Sequence, residues 1–506
     1  MELLSYLHPL LLFLLLHGFG FLVLLRRTRS SFTTSKFPPS PPRLPIIGNL
    51  HQLIGPLPHR TLRAMAARHG PLMLLQLGQV PSLVVSSVDM AREVMKNQDH
   101  HFASRPSLTV PNILLRHGRD VAFAPYGEYW RQLKKVSLLH LLSAKMVRSF
   151  RHVREEEVAA MIDDISRVCS SAAPFDVTAI LNSLAKHVIS RVTLGKNSKD
   201  ESWGDYIDSI MGEASAAMGA FHVGDYFPSL PWLSKVTGLE SRIKKMVHGI
   251  EVILDEIIAN HKNRARGDDN PETKDFVNIL ISLQDDPEMK QFISDETIKS
   301  VVTDMYAAGM DSTHIAIEWA MAELMRNPKA MKKLQDEVRG AKANSEQMIT
   351  EDDLSNMDYL RAVIKESMRL HPPGPLLVPR ELTEETTIEG FRIPKGTRTF
   401  INVWAIGRDS KIWKDPEEFR PERFLGSSID YRGQHFELTP FGAGRRICPG
   451  IGFAAAVVEL SVANLVNQFD WKLPNGMKEE DMDMGEVFGI TMRKKTGLQL
   501  VATPRF

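Results

Sequence analysis

Phe441-Gly-Ala-Gly-Arg-Arg-Ile-Cys-Pro-Gly450 is the stretch on which the reading of this chain turns. It carries Cys448, one of two cysteines in 506 residues. Glycines at 442, 444 and 450 permit tight turns and close backbone approach around that sulfur. An apolar helical pattern begins immediately afterwards, from about Ile451 to Phe469. A cysteine just ahead of a helix N-terminus sits in a positive partial field, and Arg445 and Arg446 add charge. The stretch therefore predicts a favoured thiolate. The plainer alternative is a buried, inert cysteine in a glycine-rich turn. Cys448 alone would favour that alternative; the whole motif favours a ligand.

A lone thiolate on such a loop suits the axial position of a haem iron. The stretch resembles the haem-binding loop of the cytochromes P-450, whose pattern is Phe-x-x-Gly-x-Arg-x-Cys-x-Gly. Phe441, Gly444, Arg446, Cys448 and Gly450 fill every fixed position. The resemblance implies the cytochrome P-450 fold, mainly α with small β-sheets, and a b-type haem with Cys448 as the metal ligand. It runs from Pro38 to the C-terminus. Phe102-Ala-Ser-Arg-Pro106, Pro125-Tyr-Gly-Glu-Tyr-Trp130 and Pro440 to Gly450 look like the plant microsomal (A-type) branch of specialised metabolism.

A second motif lies in a helical pattern from about Asp295 to Asn327, roughly 50 Å long and stopped by Pro328. Its middle reads Ala308-Gly-Met-Asp-Ser-Thr313. Glycine inside a helix costs about 1 kcal/mol relative to alanine, so Gly309 marks either a flat ligand or close helix packing. The segment resembles the family's oxygen-activation motif, with Ser312 where threonine is usual. The resemblance implies a catalytic group of Asp311, Ser312 and Thr313, because splitting dioxygen needs protons from a hydroxyl and an acid connected to solvent. A hydroxyl bonded back to the carbonyl four residues earlier, without a catalytic part, is the alternative.

Glu366-Ser-Met-Arg369 matches the family's Glu-x-x-Arg, a spacing this chain repeats at Glu128–Arg131, Glu323–Arg326, Glu389–Arg392 and Glu417–Arg420. Context separates them: Pro372-Pro373 follow, and Phe419-Arg-Pro-Glu-Arg-Phe424 resembles the family's Pro-x-Arg-Phe. The resemblance implies a buried Glu366–Arg369–Arg423 triad bracing the cysteine loop. Haem propionates call for cationic and indole donors. By resemblance and position these are Trp130 with Lys134, together with Arg105, Arg380 and Arg446, and Phe441 completes the cofactor-binding set. A solvated surface charge is the alternative for each cation.

Lys and Arg (62) nearly balance Asp and Glu (61), which excludes a nucleic-acid footprint. Two distant cysteines exclude a disulfide framework, and no zinc pattern is present. Residues 3–25 are almost wholly apolar and long enough to cross a bilayer, with Arg26, Arg27 and Arg29 next. The positive-inside rule makes this a retained single-pass anchor with the body cytosolic, in the endoplasmic reticulum membrane by resemblance. Residues 26–45 read as a basic, proline-rich hinge and 46–506 as the catalytic domain. Strands are expected at 72–87, turning at Gly78-Gln79, at Thr387–Pro394 and Thr397–Val403, and in a final hairpin Gly489–Val501 turning at Lys494–Gly497. Arg264–Asp275 reads as a solvated loop, and Gly219–Leu233 as an apolar loop that the resemblance puts near membrane and substrate entrance.

The activity implied is a haem-thiolate monooxygenase. It would insert one atom of O2 into a hydrophobic small molecule such as a terpenoid, phenylpropanoid, coumarin or alkaloid. NADPH would act indirectly through NADPH–cytochrome P-450 reductase, with a cytochrome b-type protein as a further donor, since no flavin or nicotinamide site is recognisable. Pocket walls are expected near Leu108–Leu115, Met305–Met310, Leu376–Val378 and Phe488–Ile490. The rivals are a haem-thiolate peroxide isomerase or dehydratase without a reductase, and a haem-binding membrane protein without turnover.

Overall fold

A computed structural model describes residues 37–169, 173–195, 204–230, 232, 238–264, 275–342 and 347–505. The expected anchor at 3–25 and most of the solvated loop 264–275 lie outside these residues. The centre of the molecule is the helix Asp295–Arg326. Ser294 caps it by accepting from the Thr297 amide, and Asp295 and Glu296 complement its positive end. Pro328 opens the next helix, so the break falls where the sequence puts it. Nearly every residue of the central helix is buried, because helices Val177–Leu194, Asp358–Leu370 and Ile451–Gln468 pack around it.

Gly309 is explained by that packing. A Cβ there would stand 2.7 Å from the Ile189 side chain on helix Val177–Leu194. Helix Ile451–Gln468 is apolar and long enough to cross a membrane, yet it is mostly buried in the protein core.

Among the described residues, four small sheets flank the helices. Leu72–Leu77 and Val80–Val85 form the expected hairpin, and Val80–Val85 pairs in parallel with Arg398–Ile401. Arg380–Glu381 completes that sheet. Thr386–Ile388 and Phe391–Ile393 form a separate hairpin. The proline run lies on the globule from Pro38: the Leu74 amide donates to Pro39 O (3.1 Å), and Asn49 Nδ2 to Pro41 O (3.2 Å).

The final hairpin differs from expectation. Glu486–Phe488 pairs with Met492–Lys494, so the turn is Gly489-Ile490-Thr491. The strand Gln499–Pro504 leaves to pair with Phe469–Lys472 and Phe175–Asp176. Lys494–Gly497 joins two sheets and does not close one. The tip is held by contacts outside the hairpin, which its own turn residues do not signal.

Candidate active site

A cavity of about 340 Å³ lies between the central helix and the cysteine loop. Its lining is largely apolar and includes Leu114, Leu115, Met305, Met310, Leu377, Val378 and Ile490, from all four stretches expected to form walls. Phe488 instead packs against the cluster around Leu62 and Leu75. Ile189, Ser215, Met218, Phe276, Asp304 and Thr491 also line the cavity and were not expected. Apart from Asp304 on the central helix, they come from helices and a turn whose sequences carry no distinguishing motif.

Cys448 faces this cavity, and its amide donates to Phe441 O at 3.0 Å, closing the turn. Gly444 has φ 70°, and a Cβ there would meet Met95 O at 2.2 Å, so only glycine fits. The electrostatics differ from the sequence reading. Burial pushes the Cys448 thiol up, against a lowering hydrogen bond from Gly450 and a lowering charge on Lys134. Arg445 turns away to pair with Asp99 (3.1 Å). Arg446 donates to the carbonyls of Ala103 (2.6 Å), Val121 (3.3 Å) and Ala124 (2.5 Å). Coordination to a metal is what favours the thiolate in such surroundings.

The expected propionate-binding residues converge. Arg105, Trp130, Lys134, Arg380 and Arg446 all line the same cavity. Arg446 stacks on Trp130 with its guanidinium carbon 4.1 Å from the ring centroid, and Trp130 Nε1 donates to Val121 O at 3.0 Å. Lys134 donates to Ile447 O at 2.6 Å. Arg105 donates to the carbonyls of Ala122 (2.9 Å), Val378 (2.7 Å) and Pro379 (2.9 Å). Arg380 is salt-bridged to Asp99 at 3.0 Å and donates to Ala443 O.

Burial lowers the pKa of Lys134 to about 8 and that of Arg446 to about 9, and Arg105 falls well below its usual value. The nearby acids offset only part of this charge, because burial raises Asp304 to about 8, which leaves it largely protonated at neutral pH, and Asp120 to about 6. A cluster of buried cations facing a cavity fits an anionic ligand, and two propionates supply what it lacks. With a sulfur ligand at the same cavity, the residues fit a haem.

The triad forms as the resemblance implied. Arg369 Nε and Nη2 donate to Glu366 Oε2 and Oε1 at 2.7 and 2.8 Å, and Arg423 Nε donates to Oε1 at 2.9 Å. The Glu366 and Arg369 side chains are fully buried, whereas the equally spaced Glu128 and Arg131 are exposed. The direct brace of the cysteine loop is a different set. Asp99 accepts from Arg380, from the Arg445 amide (2.8 Å) and from the Arg445 side chain. No sequence motif announces Asp99.

Across the cavity, Asp311, Ser312 and Thr313 all line the wall. Ser312 Oγ donates to Ala308 O at 2.8 Å, the back-bonded geometry. Thr313 is buried. The Asp311 carboxylate accepts from Ser215 Oγ (2.9 Å), from Thr491 Oγ1 and from Arg493. It thus joins helix Gly204–Gly219 and the final hairpin to the central helix.

A profile of the cytochrome P450 family matches residues 38–501. Among curated relatives, "Cytochrome P450 736A117" of Prunus mume is 48% identical, over 99% of this chain and 97% of its own length. "Cytochrome P450 71A6" of Nepeta racemosa is 47% identical over 98% of this chain and 99% of its own. "Strychnine-11-hydroxylase" of Strychnos nux-vomica is 45% identical, over 97% of this chain and 96% of its own length. A solved zebra fish cytochrome P450, with abiraterone, superposes with a TM-score of 0.74 at 24% identity. It covers 89% of this chain and all of that one, and shows the shared fold.

Proposed function

Because the chain belongs to the cytochrome P450 family, we propose that it is a membrane-anchored haem-thiolate monooxygenase of plant specialised metabolism. In this reading it inserts one oxygen atom from O2 into a hydrophobic small molecule. Haem bound at Cys448 would supply the activation of dioxygen. The observation that carries the reading is one cavity bounded on one side by Cys448 and buried cations, and on the other by Asp311, Ser312 and Thr313.

The protein's own groups then have distinct tasks. Lys134, Arg105 and Arg446 neutralise the carboxylates of the bound cofactor, and Trp130 fixes Arg446 by stacking. The apolar wall binds substrate and excludes water. Asp311 accepts and releases protons at its carboxylate oxygens, and Ser312 turns its hydroxyl into the cavity when it leaves Ala308 O. Electrons come from NADPH through NADPH–cytochrome P-450 reductase, with a cytochrome b-type donor as a second source. The exposed Phe221, Leu230 and Trp232 lie along the chain from Tyr226, whose carbonyl accepts from Gln79 on the first hairpin. They would rest on the endoplasmic reticulum membrane beside the 3–25 anchor.

The test uses membranes carrying this protein and the reductase, offered terpenoids, phenylpropanoids, coumarins and alkaloids. NADPH- and O2-dependent products gaining one oxygen atom are expected. Turnover of hydroperoxides alone, without NADPH, would replace this reading with a peroxide-rearranging enzyme.

A further inference from the structure

Asp311 borders two cavities. The second, of about 250 Å³, borders an adjacent face of the central helix, and among the described residues Met310 and Asp311 line both. Its wall is polar: His314, Glu318, Thr178, Asn182, Arg493 and Lys494 face it. Asp311, His314 and Glu318 are spaced i, i+3 and i+7, so the helix presents them as one column along this cavity. An acid, an imidazole and a second acid in line have no packing reason to be there, because an apolar stripe would fill the space at lower cost.

We propose that this second cavity is the route by which protons from solvent reach Asp311, with His314 and Glu318 as the groups that carry them. The inference rests on the monooxygenase reading, which requires a supply of protons. His314 Nδ1 stands 3.1 Å from Met310 O and donates to it, leaving Nε2 as an acceptor. Glu318 accepts from Thr178 Oγ1 at 2.5 Å. Arg493, whose side chain is 38% exposed, forms the outer side and pairs with Asp311. When Arg493 turns out to solvent, a proton taken from bulk at the Glu318 carboxylate passes through cavity water to His314 Nε2, and from there through water to an Asp311 oxygen. From there it leaves into the first cavity. One proton enters from bulk for each one delivered, and no electrons move.

The electrostatics agree with this geometry. Burial keeps His314 below its usual pKa and hence neutral, with Asp311 opposing and Arg493 reinforcing that shift. Burial raises the Glu318 carboxyl, while Thr178, Lys494 and Arg493 pull it down and Asp176 pushes it up. The Ser312 hydroxyl, turned to Ala308 O, is not among the three donors that Asp311 meets.

Two measurements on the full-length, haem-loaded protein test the route. First, His314→Cys is treated with a charged methanethiosulfonate reagent, with and without clotrimazole filling the first cavity. Labelling at the same rate in both is expected, with the buried Cys169 as the unreactive internal control. No labelling, or labelling blocked by clotrimazole, would overturn the proposal. Second, with a substrate found in the panel above, His314→Gln and Glu318→Gln should raise peroxide released per NADPH several-fold and enlarge the solvent deuterium isotope effect. Glu318→Asp should restore both. Coupling and isotope effect equal to the parent's would overturn the route. A His314→Cys variant that labels as expected, beside a parent that turns over no substrate, would instead overturn the proposed function.

Discussion

Around and behind the cysteine loop, several charges are matched by fixed protein partners, while Arg105, Lys134 and Arg446 are left facing the cavity. Asp99 holds Arg380 and Arg445, and Glu366 holds Arg369 and Arg423. On the other side, a single carboxylate, Asp311, is shared among helix Gly204–Gly219, the final hairpin and the central helix. Above it the two outer elements meet main chain to main chain, for a Cβ on Gly219 would stand 2.3 Å from Gly489 Cα. The first wall is a scaffold, since removing any partner strands a charge. The second is a seam, held by few and separable contacts.

The largest expected effect breaks the scaffold at its centre. Cys448→Ala should abolish the reduced carbon monoxide spectrum of a thiolate-ligated haem, and an unchanged spectrum would remove Cys448 as the ligand. Next, Glu366→Gln leaves Arg369 and Arg423 without their buried anion. It should cost about 3–5 kcal/mol, read as loss of haem-loaded protein on expression; normal loading would show the triad to be dispensable.

The seam should respond more mildly. Gly219→Ala places a methyl group 2.3 Å from Gly489 Cα and 2.6 Å from the Ile490 nitrogen, so a loss of about 1–3 kcal/mol is expected. Faster bleaching of the haem-thiolate band on heating would register it. A variant as heat-resistant as the parent would mean that the seam yields freely.

The smallest effect concerns pH and lies in neither wall. His59 and His371 are held below the usual 6.5 by burial. Glu323 and Glu486 are pushed up by burial, but the hydrogen bond from His371 to Glu323 and the closeness of His59 and Arg60 to Glu486 outweigh this, and their net shift is down. All four pKa values are lower in the fold, so their contributions are present above the unfolded values and are lost as pH falls. Thermal stability should decline as pH drops below about 6.5 and continue downward through the carboxylate range. His371→Gln should flatten the first part of that decline, as melting curves at pH 7.5 and 5.5 would show.

The scaffold was more legible in the sequence than the seam, for a physical reason. Cys448, Trp130, Lys134, Glu366, Arg369 and Arg423 sit in short local patterns that carry the resemblance; the structure sets the first three at one cavity and pairs Glu366 with Arg369 and Arg423. Asp99 braces the loop through partners 281 and 346 residues away, a separation no local pattern encodes. Ser215, Thr491 and Arg493 are likewise ordinary polar residues until the fold brings them to Asp311. The adjacent arginines do not by themselves favour the thiolate, because burial raises the Cys448 thiol and coordination to a metal is what favours its ionised form. The final turn was misplaced because tertiary contacts, and not its turn residues, hold it. Helix limits at Ser294 and Pro328 were readable because capping and chain breaking are local.

The parallel pairing of Val80–Val85 with Arg398–Ile401 bears on how the chain is made. Ser82 and Arg398 are register partners, so 316 residues (398 − 82) must follow the first before the second is joined. At synthesis rates of roughly 5–20 residues per second, the edge of the first hairpin stays bare for about 15–60 s. That edge, Val-Pro-Ser-Leu-Val-Val, offers open backbone groups and apolar side chains to any neighbouring chain during the interval. Proline at 81 interrupts its donor row. Yield in a heterologous host should therefore depend on how well this nascent edge is shielded while the ribosome completes the distant strand.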